Sequence, residues 1–271
     1  MLFRSFDFGA INNLFQKFFP AGFYYKTFMW PKSFWYKVYE PIIRKAAGLG
    51  VAPLKPDPDR YEHKYEYCDV LIAGSGPSGL ASALAAAKNG ARVILAEDKS
   101  RFGGSLLVDE VTIGNKKGKE WADEAISQLK SMPNVIVKNR SQVFGYYDHN
   151  MMVMFEKTRD HIENPNKFTP RQKLWYIRAK EIVISTGSLE RPLIFGNNDR
   201  PGILLSSAAK EYLKVYGVLV GRKPIIFTNN DSAYDTAIEF KKNGINPLVV
   251  DTRTNSDSSV ISEAKNLNID I

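Results

Sequence analysis

The chain has 271 residues, 44% hydrophobic and 24% charged, with 37 Lys and Arg against 29 Asp and Glu. That composition excludes wholesale disorder and the collagen-like and coiled-coil classes. The net charge of +8 is too small and dispersed to indicate nucleic acid. A single cysteine, Cys68, excludes a disulfide framework, a Cys-rich zinc site and a CxxC redox pair within the chain.

No run of about 18 uncharged apolar residues occurs, so no membrane-spanning helix is expected. Met1 to Asn13 lacks an apolar core with a small-residue cleavage site, which favours a cytoplasmic location unless the natural start is missing. Residues 1–66 form an aromatic, basic segment and linker. Fifteen of the Phe, Tyr and Trp residues fall before residue 41, among Pro20, Pro31 and Pro41. Residues 34–47 predict a short helix broken near Pro41 and ended by Gly48 and Gly50. Residues 51–60, with three prolines, predict an extended linker. The crowded aromatics predict a local core, or a surface buried by another part of the protein. A membrane-surface segment is disfavoured, because no clean amphipathic period runs through the prolines.

From Tyr67 strands and helices alternate, as in an α/β fold. Residues 67–195 are expected to form a dinucleotide-binding domain. A strand at 69–73, an Ala-rich helix at 77–89 and a strand at 92–96 make one βαβ unit. A helix follows at 119–131. Strands at 135–138, 142–147, 151–156 and 175–178 predict an antiparallel excursion, and a buried strand follows at 181–185. Residues 196–271 are expected to form a partial second Rossmann-like domain: helix 204–216, strand 224–227, helix 232–242, strand 247–250 and helix 259–267. Asn268 to Ile271 then read as the opening of a further strand. A sheet ending there would leave a raw edge, so a truncated chain is expected.

The first strand ends in Gly74-Ser75-Gly76-Pro77-Ser78-Gly79. A GxGxxG that follows a strand and opens a helix is a dinucleotide signature. Gly74 permits the tight turn, Gly76 lets a pyrophosphate approach the backbone, and Gly79 lets the helix pack on the strand. The helix N-terminus, with Pro77 and Ser78, offers free N–H groups to the diphosphate. Glu97 lies 23 residues after Gly74, where a carboxylate accepts hydrogen bonds from ribose hydroxyls. With Asp98 beside it, Glu97 would repel a 2′-phosphate, favouring NAD or FAD over NADP. Arg101 could offset that repulsion in principle.

The longer string, in which Ala83, Gly90, Val93 and Glu97 continue the glycine pattern, resembles the two-dinucleotide-domain, glutathione-reductase-like flavoproteins. The resemblance implies a doubly wound parallel sheet that binds FAD or NAD(P). It also implies that Arg101-Phe102-Gly103-Gly104-Ser105 lies near the cofactor as a second glycine pair. The run Glu181 to Gly187 resembles the second signature of these proteins, a hydrophobic strand ending in Ser185-Thr186-Gly187. Thr186 and Gly187 would then approach the cofactor from the other side, and the Val143 backbone would lie near the adenine.

The second βαβ unit reads Phe227-Thr228-Asn229-Asn230-Asp231-Ser232-Ala233. Thr228 and Asn230 stand where the first two glycines would be, and Ala233 where the third would be. Asn tolerates a positive φ, so the turn can form, but close pyrophosphate approach is disfavoured and Asp231 would repel a phosphate. An empty structural site is the favoured reading. No CxxxxC pair is present, which excludes disulfide reductase chemistry. His63, His149 and His161 show neither metal spacing nor a paired nucleophile. No catalytic residue and no metal ligand emerges.

The strings Pro20 to Pro31 (PAGFYYKTFMWP), Tyr39-Glu40-Pro41, Arg44 to Gly50, Asn197 to Gly202 and Phe227 to Tyr234 together are similar to alpha subunits of heterotetrameric sarcosine oxidases. This resemblance implies a complex that oxidatively demethylates sarcosine to glycine, with oxygen reduced to peroxide and tetrahydrofolate able to take the one-carbon unit. It implies NAD at the GxGxxG site, an amine-oxidising FAD on a beta subunit, FMN at the alpha–beta interface, and further smaller subunits. Neither nucleic acid nor membrane is implied. The shorter strings are shared with alpha subunits of amine, opine and hydroxyproline dehydrogenases, so an FAD-binding subunit of that kind stays open, as does a non-catalytic scaffold.

Overall fold

The computed structural model describes residues 8–18, 22, 28, 30–50, 52–254 and 257–271. Most of the string from Pro20 to Met29 lies outside the described residues. The chain divides into two compact units, Met1–Pro58 and Asp59–Ile271.

In the first unit, Phe8–Phe18 forms a 3₁₀ helix. A second helical stretch starts as a 3₁₀ turn at Lys32–Phe34, widens at Trp35–Tyr39 and becomes helix α1 at Glu40–Ala46. Pro41 does not break it. Pro41 sits in the first turn of α1, where its missing N–H is not needed and its fixed φ suits the helix. Gly48, at φ +67°, reverses the chain, and the Leu49 N–H closes on the Arg44 carbonyl at 3.1 Å. The Tyr39 ring lies 5.2 Å from Phe28 and 6.2 Å from Phe34, and its hydroxyl donates to the Trp30 carbonyl. None of the residues of this unit whose burial is described is buried; Phe34 is exposed and Phe28 and Tyr39 are half-buried, so the expected local core is not seen among them.

The second unit is built on a six-stranded sheet ordered β5-β2-β1-β8-β7-β6. Its strands are β1 (Tyr61–Ala73), β2 (Val93–Ala96), β5 (Val135–Lys138), β6 (Ser141–Tyr147), β7 (Met151–Lys157) and β8 (Gln172–Ile184). A small hairpin, β3 (Thr112–Ile113) with β4 (Lys116–Lys117), leads into helix α3 (Gly118–Ser131). Helix α2 (Pro77–Lys88) joins β1 to β2. β5, β2, β1 and β8 run parallel, while β7 and β6 return antiparallel.

Two expectations change. β5 is part of the parallel sheet and not of the antiparallel excursion, because α3 supplies the long crossover that a parallel neighbour requires. The separate strands expected at 175–178 and 181–185 are one strand, β8, since Ala179 and Lys180 offer no turn chemistry between them. β1 is longer than expected for the same reason: Tyr61 to Tyr67 pair in register with Gln172 to Arg178. His63 therefore lies within β1, its ring stacked 5.8 Å from Tyr176.

The alternation of side chains along a strand gives the sheet two apolar faces. Ile72, Val93 and Leu95 pack with Leu80, Ala83 and Ala87 of α2 and with Ala122, Ile126 and Leu129 of α3. Leu71, Ile94 and Ala96 face the other way, into a core with Met152, Met154, Trp175 and Ile177 from the antiparallel strands. Each fully buried Leu or Ile contributes about 2 kcal/mol. Gly103, at φ +121°, opens the short turn that carries Leu106 into the helical core.

Helix α4 (Ser206–Tyr216), closed by Gly217 at φ +64°, precedes a second βαβ unit. That unit comprises β9 (Ile225–Thr228), α5 (Ser232–Lys242) and β10 (Leu248–Asp251), with α6 (Ser259–Asn266) after it. β9 and β10 are parallel. The strand expected at 268–271 is present as a single bridge, Leu248 to Asp270. No helix among the described residues is long and apolar enough to cross a membrane.

Candidate dinucleotide-binding site

The turn Gly74–Gly79 leaves the carboxyl end of β1, flanked by the carboxyl ends of β2 and β8. Open α/β sheets bind ligands at such an edge. The Gly74 N–H bonds the Ala96 carbonyl of β2 at 2.8 Å, and the Ser185 N–H bonds the Ala73 carbonyl of β1 at 2.8 Å. Three strand ends are thereby held together.

The glycines have different reasons to be glycine. Gly74 has φ +101°, and a Cβ there would strike the Ser185 carbonyl. A Cβ on Gly79 would collide with the Gly74 carbonyl. Gly104 has φ +55°, and its Cβ would lie 2.9 Å from the Gly76 Cα. Gly76 differs from all of these. Its φ of −67° and ψ of −175° are open to any residue, and a Cβ there would meet no protein atom within 4 Å.

Helix α2 starts beside that open space. Pro77 occupies its first turn, and the Leu80 N–H is bonded to the Gly76 carbonyl at 2.9 Å. The Ser78 and Gly79 N–H groups precede the intrahelical ladder and are unpaired within the helix. Pro77 and Ser78 are exposed.

Glu97 follows β2 and is 6% exposed. Its Oε2 accepts the Ser75 N–H at 2.9 Å and the Ser75 hydroxyl at 2.5 Å, and its Oε1 accepts the Lys99 N–H at 3.0 Å. Burial pushes its carboxyl above the usual carboxylate range and the Asp98 carboxyl adds to this, against the opposing Ser75 and Lys99 bonds. Asp98 is exposed beside it.

The remaining candidates fall around this edge. Ser105 is exposed, in the short helical turn Gly104–Leu107. Thr186 and Gly187 (φ +72°) are exposed just past the end of β8. Val143 lies on β6, two residues after Ser141, whose N–H bonds the Glu97 carbonyl at 2.7 Å. Its side chain packs into the core behind β2. Arg101 turns elsewhere: its guanidinium donates to the Val215 carbonyl near the end of α4 at 3.3 Å.

The second turn is closed by its own side chains. The Thr228 hydroxyl donates to the Asn230 carbonyl at 2.9 Å and accepts the Asn230 N–H at 3.1 Å. The Asn230 Oδ1 accepts the Ser232 N–H at 3.0 Å and its hydroxyl at 2.6 Å. Arg253 joins Asp231 at 2.7 Å and Asp251 at 2.8 Å. N–H groups that would face a phosphate in the first turn are thus spent locally in the second.

Residues 69–158 match the family model for FAD dependent oxidoreductases. Over 250 residues the chain is 48% identical to the sarcosine oxidase subunit alpha of Rhizobium meliloti (strain 1021), an alignment covering 92% of this chain and 25% of that protein. The chain is similar to sarcosine oxidase alpha subunits over most of its own length. It is also 38% identical, over 209 residues, to the corresponding subunit of Corynebacterium sp. (strain P-1), covering 76% of this chain and 22% of that one. The chain spans about a quarter of the length of these curated relatives. Among solved structures, L-proline dehydrogenase from P. horikoshii superposes with a TM-score of 0.57 at 24% identity, over 72% of this chain and 38% of that one. That likeness establishes the fold, an α/β fold with a mostly parallel sheet.

The family model's span includes the Gly74–Gly79 turn, Glu97, Gly104, Ser105 and Val143, while Thr186 and Gly187 lie beyond it. Sequence reasoning passed over Ser75, which is fully buried and bonds Glu97. It also gave Gly103 no separate role, although its N–H donates to the Ser75 hydroxyl at 3.2 Å. Ser75 is an unmarked position of its motif and Gly103 is named only as half of a glycine pair, and only the folded geometry brings the two together. Cys68 is buried within β1, and burial pushes its thiol up to about 12, which suits core packing and not nucleophilic chemistry. Among the described residues, no group of three or more His, Cys, Asp and Glu is arranged to hold a metal.

Proposed function

We propose that this chain holds NAD at the Gly74–Gly79 turn, as the dinucleotide-binding part of a sarcosine-oxidase-like complex that oxidatively demethylates sarcosine to glycine. The observation that carries the reading is Gly76. Neither its backbone angles nor any protein neighbour requires glycine there, so the open space beside it fits a ligand that must approach the backbone closely. The diphosphate would lie on the Gly76 backbone and the first turn of α2, where N–H groups and the helix dipole favour an anion. Glu97 would accept from the adenosine ribose, and with Asp98 it would disfavour a 2′-phosphate. Gly104, Ser105, Thr186 and Gly187 would border the site, with the Val143 backbone towards the adenine. Arg101, engaged at α4, would take no part in binding. The bound nicotinamide would supply the redox chemistry, while the residues of this chain bind and orient it. A beta-type flavin subunit with smaller subunits would complete the complex, with FMN at their interface. The second turn would remain an element of structure.

FAD in the same site is the second reading, favoured by the description of the family model that matches residues 69–158. Denaturing the purified chain and weighing the released nucleotide separates the two: NAD supports the first, FAD the second, and NADP contradicts the reading of Glu97. Gly76→Val should abolish nucleotide retention while leaving the melting temperature of the stripped protein nearly unchanged, because a Cβ there meets no protein atom within 4 Å. Retention equal to wild type would remove the site from Gly76.

A further inference from the structure

Glu97 has two carboxylate oxygens, and the fold treats them differently. Oε2 takes two donors, the Ser75 N–H and the Ser75 hydroxyl. A carboxylate oxygen has about two lone-pair directions, so Oε2 is filled from within the protein. Oε1 takes one N–H donor, that of Lys99; the Asp98 carboxyl also bears on Glu97 but, when ionised, has no proton to give, so Oε1 is not filled by donors from the protein. The Ser75 hydroxyl is itself fixed: having given its one proton to Glu97, it accepts the Gly103 N–H. Gly103 also donates to the Ser75 carbonyl at 3.1 Å, and the next residue, Gly104, lies against the Gly76 Cα. Ser75 is fully buried, so water does not replace these bonds.

We propose that Ser75 is a positioning residue for ribose recognition: by saturating Oε2 it orients the Glu97 carboxylate so that Oε1 alone accepts a single hydroxyl of the adenosine ribose. The proposal rests on the dinucleotide reading of the Gly74–Gly79 turn. It does not depend on whether NAD or FAD is held, since both carry the same adenosine diphosphate. It gives Ser75 a part in selectivity although Ser75 itself touches no nucleotide. Without its hydroxyl, Oε2 keeps only the Ser75 N–H and has a direction left over with which it competes with Oε1 for the ribose.

The test compares ADP, 2′-deoxy-ADP and 3′-deoxy-ADP, titrated by calorimetry onto the nucleotide-stripped chain. One deoxy isomer should bind about tenfold more weakly than ADP, the usual cost of losing a hydrogen bond to a charged group, and the other about as well as ADP. In Ser75→Ala the discrimination should contract to about threefold or less. Ser75→Cys keeps nearly the volume of serine with a weak donor and should show the same contraction, which covers the case in which the alanine variant does not fold. A merely structural role would weaken all three ligands alike and leave the ratio unchanged. An unchanged ratio in both variants overturns the positioning role, and equal losses for both isomers in the wild type overturn acceptance by one oxygen. If the wild type binds none of the three, the dinucleotide reading itself has failed, a result distinct from either.

Discussion

At the level of single residues, the glycine motif separates into positions where the fold requires glycine and one, Gly76, where it does not. Gly79 meets the Gly74 carbonyl so closely that a methyl group cannot enter without moving backbone. Gly79→Ala should therefore destabilise the protein by about 3 kcal/mol, the upper range for overpacking a well-packed site, seen as a lower denaturant midpoint whether or not nucleotide is present. Gly76→Val should do the reverse and affect binding alone. The spacing of the glycines and of Glu97 was legible in the sequence because each position answers to a local turn or strand end. Ser75 was not. Its partner Glu97 is 22 residues away, and serine at that position follows no pattern until the turn folds against the end of β2.

At the level of elements, the β1–β8 ladder organises the sheet, and Asp69 pins its middle. Its carboxylate accepts the Arg92 N–H at 2.8 Å and pairs with Lys180 at 2.9 Å, linking the start of β2, β1 and β8. The Arg92 N–H first and Lys180 second lower the Asp69 carboxyl from the ordinary 3.8 to about 2. A carboxyl whose folded value is depressed adds stability above its unfolded value, and that stability is lost as pH falls through the folded value. Urea midpoints followed from pH 5 downwards should thus fall more gently for Asp69→Asn than for wild type between about 4 and 2, and parallel curves would exclude the effect. The helices were legible from apolar spacing and glycine stops, as α2, α3 and α5 show. The long strands were cut short because Glu62, Lys64 and Glu66 interrupt the apolar signal. Glu62 pairs with Lys64 along the same strand at 2.9 Å and with Lys173 of β8 across the sheet at 3.2 Å, while the Glu66 carboxylate accepts the Tyr67 N–H at 3.0 Å.

At the level of the second unit as a whole, α4 ties the first βαβ region to the second. Lys210 pairs with Asp109, Lys99 with Glu211, and Lys214 with both Glu110 and Glu239. The Glu239 side chain is only 6% exposed and the Lys214 side chain 25%, so this pair has largely left water. Removing one partner of such a pair strands the other charge. Lys214→Met should cost about 2–3 kcal/mol, after allowance for the partial exposure of the lysine. Adding Glu239→Gln should recover part of that loss in a double-mutant cycle; full additivity would show that the pair is not coupled. None of these links was legible in the sequence. Three of them join residues about a hundred positions apart, and each charge reads in the sequence as an ordinary surface charge.

The self-closed turn at Thr228–Ser232 bears on the history of the fold. A phosphate-binding turn can lose its ligand without losing its shape, provided that hydroxyl and amide side chains take over the N–H groups the ligand once held. Retirement of such a site is then gradual and structurally silent, and the reverse path is not. Placing glycine at 228 and 230 would strip out those internal bonds before any nucleotide arrived to replace them. On the proposed reading, two βαβ units of similar outline within one chain differ in evolutionary freedom, one held to its sequence by a ligand and the other only by the need to fold.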